Sequence, residues 1–92
     1  MKNSIAKLLA DAFRASVAAG LIDDVTLPYI EVEQTKEEAH GDYASNIAMV
    51  LASKARKNPR LIAGILKDHL RDPDGILKAV EIAGPGFMNF FI

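Results

Sequence analysis

The first twenty residues have the hydrophobic spacing of an amphipathic helix. After Ser4, apolar residues recur every three or four positions, at Ile5, Leu8, Leu9, Ala12, Phe13 and Val17. This spacing aligns them along one side of a helix, because an α-helix has about 3.6 residues per turn. Ser4 is the expected cap of this helix, and Gly20 is expected to end it in the left-handed conformation. The pattern predicts a first helix from about Ser4 to Ala19.

The segment after Pro28 has a different spacing, in which polar and apolar residues alternate. Tyr29–Glu33 places its isoleucine and valine on one side and its two glutamates on the other. Alternation with a period of two is typical of a strand that is buried on one face and solvated on the other. Gln34–Gly41 is polar and aperiodic, which predicts a loop.

Two further helices are predicted between residues 42 and 70. Asp42 is the expected cap of the first, whose apolar positions are Ala44, Ile47, Ala48, Leu51 and Ala55. The second should begin at Asn58, because asparagine caps helices and Pro59 then takes the first helical position, where no hydrogen bond is lost. Its buried side is formed by Ile62, Ile65, Leu66 and Leu70.

The last twenty residues read as two strands. A turn is predicted at Asp72–Gly75, where aspartate, proline and glycine cluster. Alternation returns at Lys78–Ile82, and Gly84-Pro85-Gly86 leads into the apolar run Phe87–Ile92. A strand, a tight glycine and proline turn and a second strand favour an antiparallel hairpin.

These elements predict an α+β fold in which three helices pack on one face of a small antiparallel sheet, in two layers. The chain has 92 residues, which is enough for a single domain with one core. It ends within a strand-like run and has no polar tail. We therefore expect residues 1–92 to be one domain of a longer protein, although an ordinary C-terminal strand would have the same pattern.

Composition excludes several classes of protein. There is no cysteine, so disulfides and thiolate chemistry are ruled out. The apolar runs are shorter than the roughly 18 residues of a membrane span, and the N-terminus lacks the pattern of a signal peptide, so we expect a cytoplasmic protein with no membrane contact.

His40 and His69 do not have the spacing of metal ligands, and we expect His69 to be structural or on the surface. The sequence predicts no catalytic residue and no metal site.

The charge is unevenly distributed along the chain. Residues 21–42 carry seven acids and one lysine, for a net −6, whereas residues 43–71 carry six basic residues and one acid, for a net +5. A basic segment of this kind can approach a polyanion even when the whole chain has a net charge of −1. Charged helix surfaces that serve only solvation would have the same pattern.

The final strand has the most informative side chains. Met88, Phe90 and Ile92 share one face and can fill the core, whereas Phe87, Asn89 and Phe91 share the other. If that second face is open, Phe87 can stack on an unpaired nucleobase while the Asn89 amide bonds its edge. The alternative is that more protein covers this face.

The loop HGDYASN at residues 40–46 combines a glycine, an acid, an aromatic residue and an amide at the start of a predicted helix. Two interpretations are open. Tyr43 and Asn46 tie the loop to the domain, or the loop frames one edge of a ligand surface.

Three segments together resemble the N-terminal additional domain of bacterial-type arginyl-tRNA synthetase. They are HGDYASNIAMVLA at His40–Ala52, NPRLIAGIL at Asn58–Leu66 and VEIAGPGFMNF at Val80–Phe90. The resemblance extends over essentially the whole chain. It implies an α+β domain that contacts the D-loop at the outer corner of tRNA(Arg).

The resemblance also implies roles for individual residues. An aromatic residue and an amide on the last strand of the family recognise a D-loop base, and they match Phe87 and Asn89. The family often has tyrosine at the first position, so a polar contact of its hydroxyl is absent here. A weaker tRNA-binding set comprises Tyr43, Asn46, Gly84 and Gly86. Candidates for phosphate contacts are Lys54, Lys57 and Arg60.

The parent enzyme implied by the resemblance is an arginine–tRNA ligase, a class I aminoacyl-tRNA synthetase of protein biosynthesis. Its catalytic domain, in the same chain, uses ATP and Mg²⁺. The catalytic signatures of that class are absent from residues 1–92, so we expect no ligase activity and no cofactor in this domain. A competing hypothesis is a protein–protein docking module without nucleic-acid contact. A stand-alone enzyme is a third, but no cluster of suitable polar residues supports it.

Overall fold

The computed structural model describes all of residues 1–92. Its helices and strands, in chain order, are α1 (Lys2–Ala18), β1 (Glu33–Gln34), a 3₁₀ helix (Glu38–His40), β2 (Tyr43–Ser45), α2 (Ile47–Ala55), α3 (Pro59–Asp68), β3 (Ala79–Ala83) and β4 (Phe87–Phe91). The predicted α+β class with three helices and an antiparallel sheet is confirmed. None of the helices is long and apolar enough to cross a membrane.

Helix α1 packs the predicted apolar side into the core, where Ile5, Leu9 and Phe13 are buried. It begins at Lys2, so the prediction that Ser4 caps it was wrong. The backbone N–H of Ile5 already donates to the carbonyl of Met1 at 3.1 Å, which places Ser4 inside the first turn. Gly20 follows the helix with φ of 75°, the left-handed conformation expected of it.

The sheet has four antiparallel strands in the order β1-β2-β4-β3. The predicted hairpin is confirmed, with Glu81 opposite Asn89 in the β3–β4 ladder. The strand expected at Tyr29–Glu33 pairs only from Glu33 to Gln34. Its alternation is nevertheless present, because Val32 is buried while the two glutamates are exposed.

Strand β2 occupies residues that the hydrophobic spacing assigned to the start of a helix. The prediction that Asp42 caps α2 was wrong, because α2 begins only at Ile47. The Asp42 carboxylate instead accepts a hydrogen bond from the backbone N–H of Ile92 at 2.7 Å. The Oγ of Ser45 accepts the N–H of Ile47 at 3.2 Å and so satisfies one donor at the start of the helix.

Helices α2 and α3 lie beside each other against the sheet. The Asn58 side chain accepts hydrogen bonds from the N–H groups of Arg60 and Leu61, at 2.8 and 3.2 Å, and Pro59 occupies the first turn, as predicted. One cluster of buried side chains joins the helices to the inner face of the sheet; beyond α1 it includes Ile47, Leu51, Ile62, Leu66, Met88 and Phe90. The outer face of the sheet is left uncovered by helices.

Candidate nucleic-acid interface

The side chains of β4 alternate between a buried face and an outer face, as its sequence predicts. Met88 and Phe90 point toward the helices and are completely buried. Phe87 lies on the outer face and is 42% exposed, whereas Asn89, on the same face, is only 5% exposed. The aromatic ring is therefore open to solvent, and the carboxamide is recessed below it. Ile92, expected to share the core face, is 45% exposed because it lies beyond the last paired residue of the strand.

Asn89 lies in a row of residues that crosses the outer face. Its direct neighbours are Ala44 on β2 and Glu81 on β3, and Ala44 in turn lies opposite Glu33. Directly opposite residues have Cβ atoms about 4.5–5.5 Å apart, so the size of each side chain determines the space left above the next. The small methyl group of Ala44 leaves space beside the carboxamide.

A pocket of about 400 Å³ is present at this position, lined by Thr35, His40, Ala44, Ala83, Gly84, Pro85, Phe87 and Asn89. Its volume falls within the roughly 300–1,000 Å³ of small-molecule sites. No protein group hydrogen-bonds the Asn89 carboxamide, and no fully buried side-chain nitrogen or oxygen lacks a partner. The carboxamide therefore reaches the surface of the pocket with its donor and acceptor free.

One wall of this pocket comes from the loop between β1 and β2. The Thr35 hydroxyl donates to the Gly41 carbonyl, and the Thr35 N–H donates to the carbonyl of Asp42 at 3.1 Å. Gly41 has φ of 77°, and a Cβ there would lie 2.7 Å from the carbonyl oxygen of Phe90. The loop therefore lies directly against the end of β4, which holds His40 at the rim of the pocket.

A second, smaller depression of about 90 Å³ borders Phe87 and is lined by Glu31, Glu33, Ala44, Ser45 and Asn46. The pKa of the Glu31 carboxyl is raised above its ordinary value of 4.5, first by a hydrogen bond with Glu33 and then by the negative charge of that residue. Two carboxylates therefore lie close together beside the exposed ring. This side of Phe87 is acidic.

A group of basic residues lies where α2 ends and α3 begins. Lys54, Arg56, Lys57 and Arg60, here called the basic corner, occupy the end of α2 and the start of α3. None of them forms an ion pair. The Nη1 of Arg60 donates to the carbonyl of Gly84 at 2.5 Å, three residues before Phe87. Through Arg60, the basic corner is therefore bonded to the turn that precedes the ring, a contact that the sequence did not show.

The remaining predicted residues lie in different places. Asn46 and Gly84 border Phe87, each lining one of the two depressions. Tyr43 lies opposite Phe90 and packs against the core, so its ring is on the helix side of the sheet. Gly86 is buried, and a Cβ on it would lie 2.8 Å from Cβ of Pro59.

Sequence reasoning missed part of the pocket lining. Thr35 and Ala44 were not singled out, although Ala44 lies in the HGDYASN loop that was considered as the edge of a ligand surface. Ala44 indicates a pocket only when it is known to lie opposite Asn89, and the sequence does not show that pairing. His69, expected to be structural or on the surface, has its Nδ1 2.8 Å from the carbonyl oxygen of Ile65. No group of three or more His, Asp or Glu side chains could hold a metal ion.

The fold is a two-layer α+β domain. The outer face of its sheet presents an aromatic ring and a recessed amide, and Arg60 of the basic corner bonds the turn that precedes the ring. A protein-family model described as the arginyl tRNA synthetase N terminal domain matches residues 1–92, and the chain belongs to this family. The resemblance recognised from the three sequence segments is confirmed.

Known relatives agree with this assignment. An arginine–tRNA ligase of Halorhodospira halophila is 50% identical over 91 residues, which cover 98% of this chain and 15% of the relative. One from Carboxydothermus hydrogenoformans is 53% identical over 78 residues, or 85% of this chain and 14% of the relative. The chain therefore spans about one-seventh of the length of these proteins.

Solved structures share the fold. The arginyl-tRNA synthetase of Thermus thermophilus aligns with a TM-score of 0.76 and 24% identity, covering 100% of this chain and 14% of that one. The Plasmodium falciparum arginyl-tRNA synthetase aligns with a TM-score of 0.80 and 12% identity, covering 99% and 16%. At these identities the likeness concerns the fold alone.

Proposed function

We propose that this chain is the tRNA-recognition domain of an arginyl-tRNA synthetase and that it contacts the D-loop of tRNA(Arg). The observation that carries the proposal is the pairing of an exposed ring, Phe87, with a recessed and unpaired amide, Asn89, in one pocket. A flipped-out base could stack on the ring while its edge meets the amide. The family membership of the chain supports tRNA as the partner.

The roles of the other surface residues follow from their charge and position. Lys54, Lys57 and Arg60 would contact phosphates on the strand that leads into the pocket, since release of counterions from phosphates supplies much of the affinity for RNA. Asn46 and Gly84 would border the bound nucleotide. Tyr43 and Gly86 would support the loop and the turn from the inner side. Their positions next to Phe90 and Pro59 agree with that role.

The parent protein, in this proposal, ligates arginine to its tRNA in the cytoplasm. A catalytic domain in the same chain would bind ATP and Mg²⁺, and residues 1–92 would contribute only tRNA binding. Stacking of one base is worth about 1–3 kcal/mol. The domain would therefore add to the affinity and specificity of the whole enzyme without supplying most of either.

The proposal is tested by binding and aminoacylation of tRNA(Arg) with the full-length protein. Phe87→Ala and Asn89→Ala should each weaken tRNA binding by about 5- to 150-fold, the equivalent of one lost base contact. Asn89→Asp, which keeps the shape of the side chain but loses the amide donor, should behave like Asn89→Ala. Leu21→Ala is the matched control, because Leu21 is also about half exposed but lines no pocket.

Unchanged tRNA binding and charging by the Phe87 and Asn89 variants would reject the proposal. Dependence on salt separates it from the alternative of a protein–protein docking face. Binding to phosphates weakens steeply as ionic strength rises, whereas apolar docking does not. A partner that binds the Phe87 face equally well at low and high salt would favour docking.

A further inference from the structure

The Gly84–Gly86 turn has little of its own to hold it in place. Gly84 and Gly86 have φ of 54° and 138°, conformations that glycine adopts easily, and the turn has one backbone hydrogen bond, from Gly86 N–H to the Ala83 carbonyl at 3.2 Å. Phe87 follows this turn directly. The β3–β4 ladder pairs Phe87 with Ala83, and contacts from outside the hairpin add to this hold on the turn that precedes the ring.

Helix α3 supplies the external contacts. Arg60 Nη1 donates to the Gly84 carbonyl at 2.5 Å, a bond strengthened by the charge of the guanidinium. On the other side of the turn, Gly86 lies so close to the helices that an added Cβ would be 2.8 Å from Cβ of Pro59 in α3 and 3.2 Å from Cγ of Met49 in α2. The turn is thus held at both of its glycines.

The backbone of Arg60 is fixed by the cap of α3. The backbone N–H of Arg60 donates to the Asn58 side chain at 2.8 Å, within the cap of α3. At the other end, Gly84 and Phe87 line the same pocket, and a Cβ added to Gly84 would lie 3.9 Å from Cδ2 of the ring. Hydrogen bonds therefore connect the helix cap through Arg60 to Gly84, which lies beside Phe87 in the wall of the pocket.

We infer that Arg60 is a positioning residue for Phe87: its guanidinium holds the Gly84–Gly86 turn on the start of α3 and so fixes the ring for stacking. This rests on the proposed function. A guanidinium has five N–H donors, so the donors not used on Gly84 remain available to a phosphate. The dominant effect of Arg60 on tRNA binding is nevertheless exerted through Phe87.

A double-mutant cycle tests this role. The dissociation constant for a tRNA(Arg) transcript is measured for the full-length protein and for Arg60→Ala, Phe87→Ala and the double variant. Arg60→Ala should weaken binding by about fivefold in the native background and by less than about twofold when Phe87 is already alanine, because coupled residues are not additive. Lys57→Ala is the control and should cost the same factor in both backgrounds.

Salt dependence provides a second measurement. A residue that acts only on a phosphate changes the slope of log affinity against log salt by about one, so Lys57→Ala should lower that slope while Arg60→Ala lowers it less. Both changes leave the cap of α3 intact, because Asn58 bonds the backbone of Arg60 and not its side chain. Thermal unfolding of each variant checks that the fold is retained.

The outcomes separate the inference from the proposed function. Arg60→Ala could instead weaken tRNA binding by the same factor in both backgrounds and lower the slope of log affinity against log salt by about one. That result would overturn the positioning role and leave base stacking by Phe87 in place. If Phe87→Ala alone does not weaken tRNA binding, the proposed function fails, and the positioning role fails with it.

Discussion

The Asp42 carboxylate accepts the backbone N–H of Ile92 at 2.7 Å, which joins two residues 50 positions apart. Asp42 also donates its own N–H to the Phe90 carbonyl at 2.8 Å and accepts the Thr35 N–H through its carbonyl. One residue therefore connects the loop that walls the pocket to the end of the strand that carries Phe87 and Asn89. The acid of the HGDYASN loop serves the sheet and not the helix that follows.

This relationship predicts the effect of changing Asp42. Asp42→Ala should lower the free energy of unfolding of the 92-residue chain by about 1–2 kcal/mol, because the Ile92 N–H loses a charged acceptor. Asp42→Asn keeps an acceptor oxygen and should cost less. Urea unfolding followed by circular dichroism measures both. Equal stability of Asp42→Ala and the native chain would mean that the bond contributes nothing.

Gly41 should tolerate substitution poorly. Gly41→Ala places a Cβ 2.7 Å from the Phe90 oxygen at a residue whose φ is 77°, so the chain must shift as well as adopt a strained conformation. We expect a loss of more than about 2 kcal/mol. Gly75→Ala is the control, because Gly75 has φ of 65° with open space around it and should cost only about 1 kcal/mol. Similar losses at both positions would show that the close approach to β4 is not the cause.

The basic corner should govern the salt dependence of tRNA binding. Lys54→Gln combined with Lys57→Gln should reduce the slope of log affinity against log salt by about two, since each removes one phosphate contact. The loss should be the same for tRNAs that differ in the D-loop base. Lys67→Gln, at the far end of α3, is the matched control and should leave the slope unchanged. A loss confined to one D-loop variant would contradict phosphate contact.

The Glu31 carboxyl, beside Phe87, should have a raised pKa because Glu33 lies next to it. An NMR titration of the 92-residue chain should give Glu31 a pKa above 4.5, and Glu33→Ala should return it toward that value, because the substitution removes the hydrogen bond and the neighbouring charge. Glu38→Ala removes a carboxylate from the adjacent loop and should leave the Glu31 pKa raised. An ordinary Glu31 pKa in the native chain would show that the two carboxyls do not interact.

The sign of the effect on stability follows from the same shift. Because the folded-state pKa of Glu31 is raised, its protonated form favours the folded state. The stabilisation that protonated Glu31 gives the folded state is complete below its ordinary pKa. It is lost as the pH rises through the raised pKa of the folded state. Stability should therefore fall slightly with pH in that window in the native chain, and less in Glu33→Ala.

Local periodicity was enough to predict much of this molecule. The apolar stripe that ends before Gly20, the Asn58-Pro59 start of α3 and the alternation along β4 are all properties of neighbouring residues. They were correctly predicted because helices and strands have fixed repeats of 3.6 and 2 residues. The β3–β4 hairpin was accessible for the same reason, since its strands are adjacent in the sequence. The family resemblance then added the tRNA hypothesis.

The tertiary structure decided what depends on residues far apart in the chain. Tyr43–Ser45 became a strand because β4 supplies its hydrogen-bonding partners, although its spacing also suits a helix. Space is left beside the Asn89 carboxamide because Ala44, from a distant strand, is its neighbour, and Arg60 meets Gly84 across 24 positions. Such contacts depend on how distant segments of the chain pack together, and a local sequence pattern does not predict that packing. The sequence alone therefore determined the elements and the chemistry of β4, and only folding assembled the pocket and brought Arg60 onto the turn at its wall.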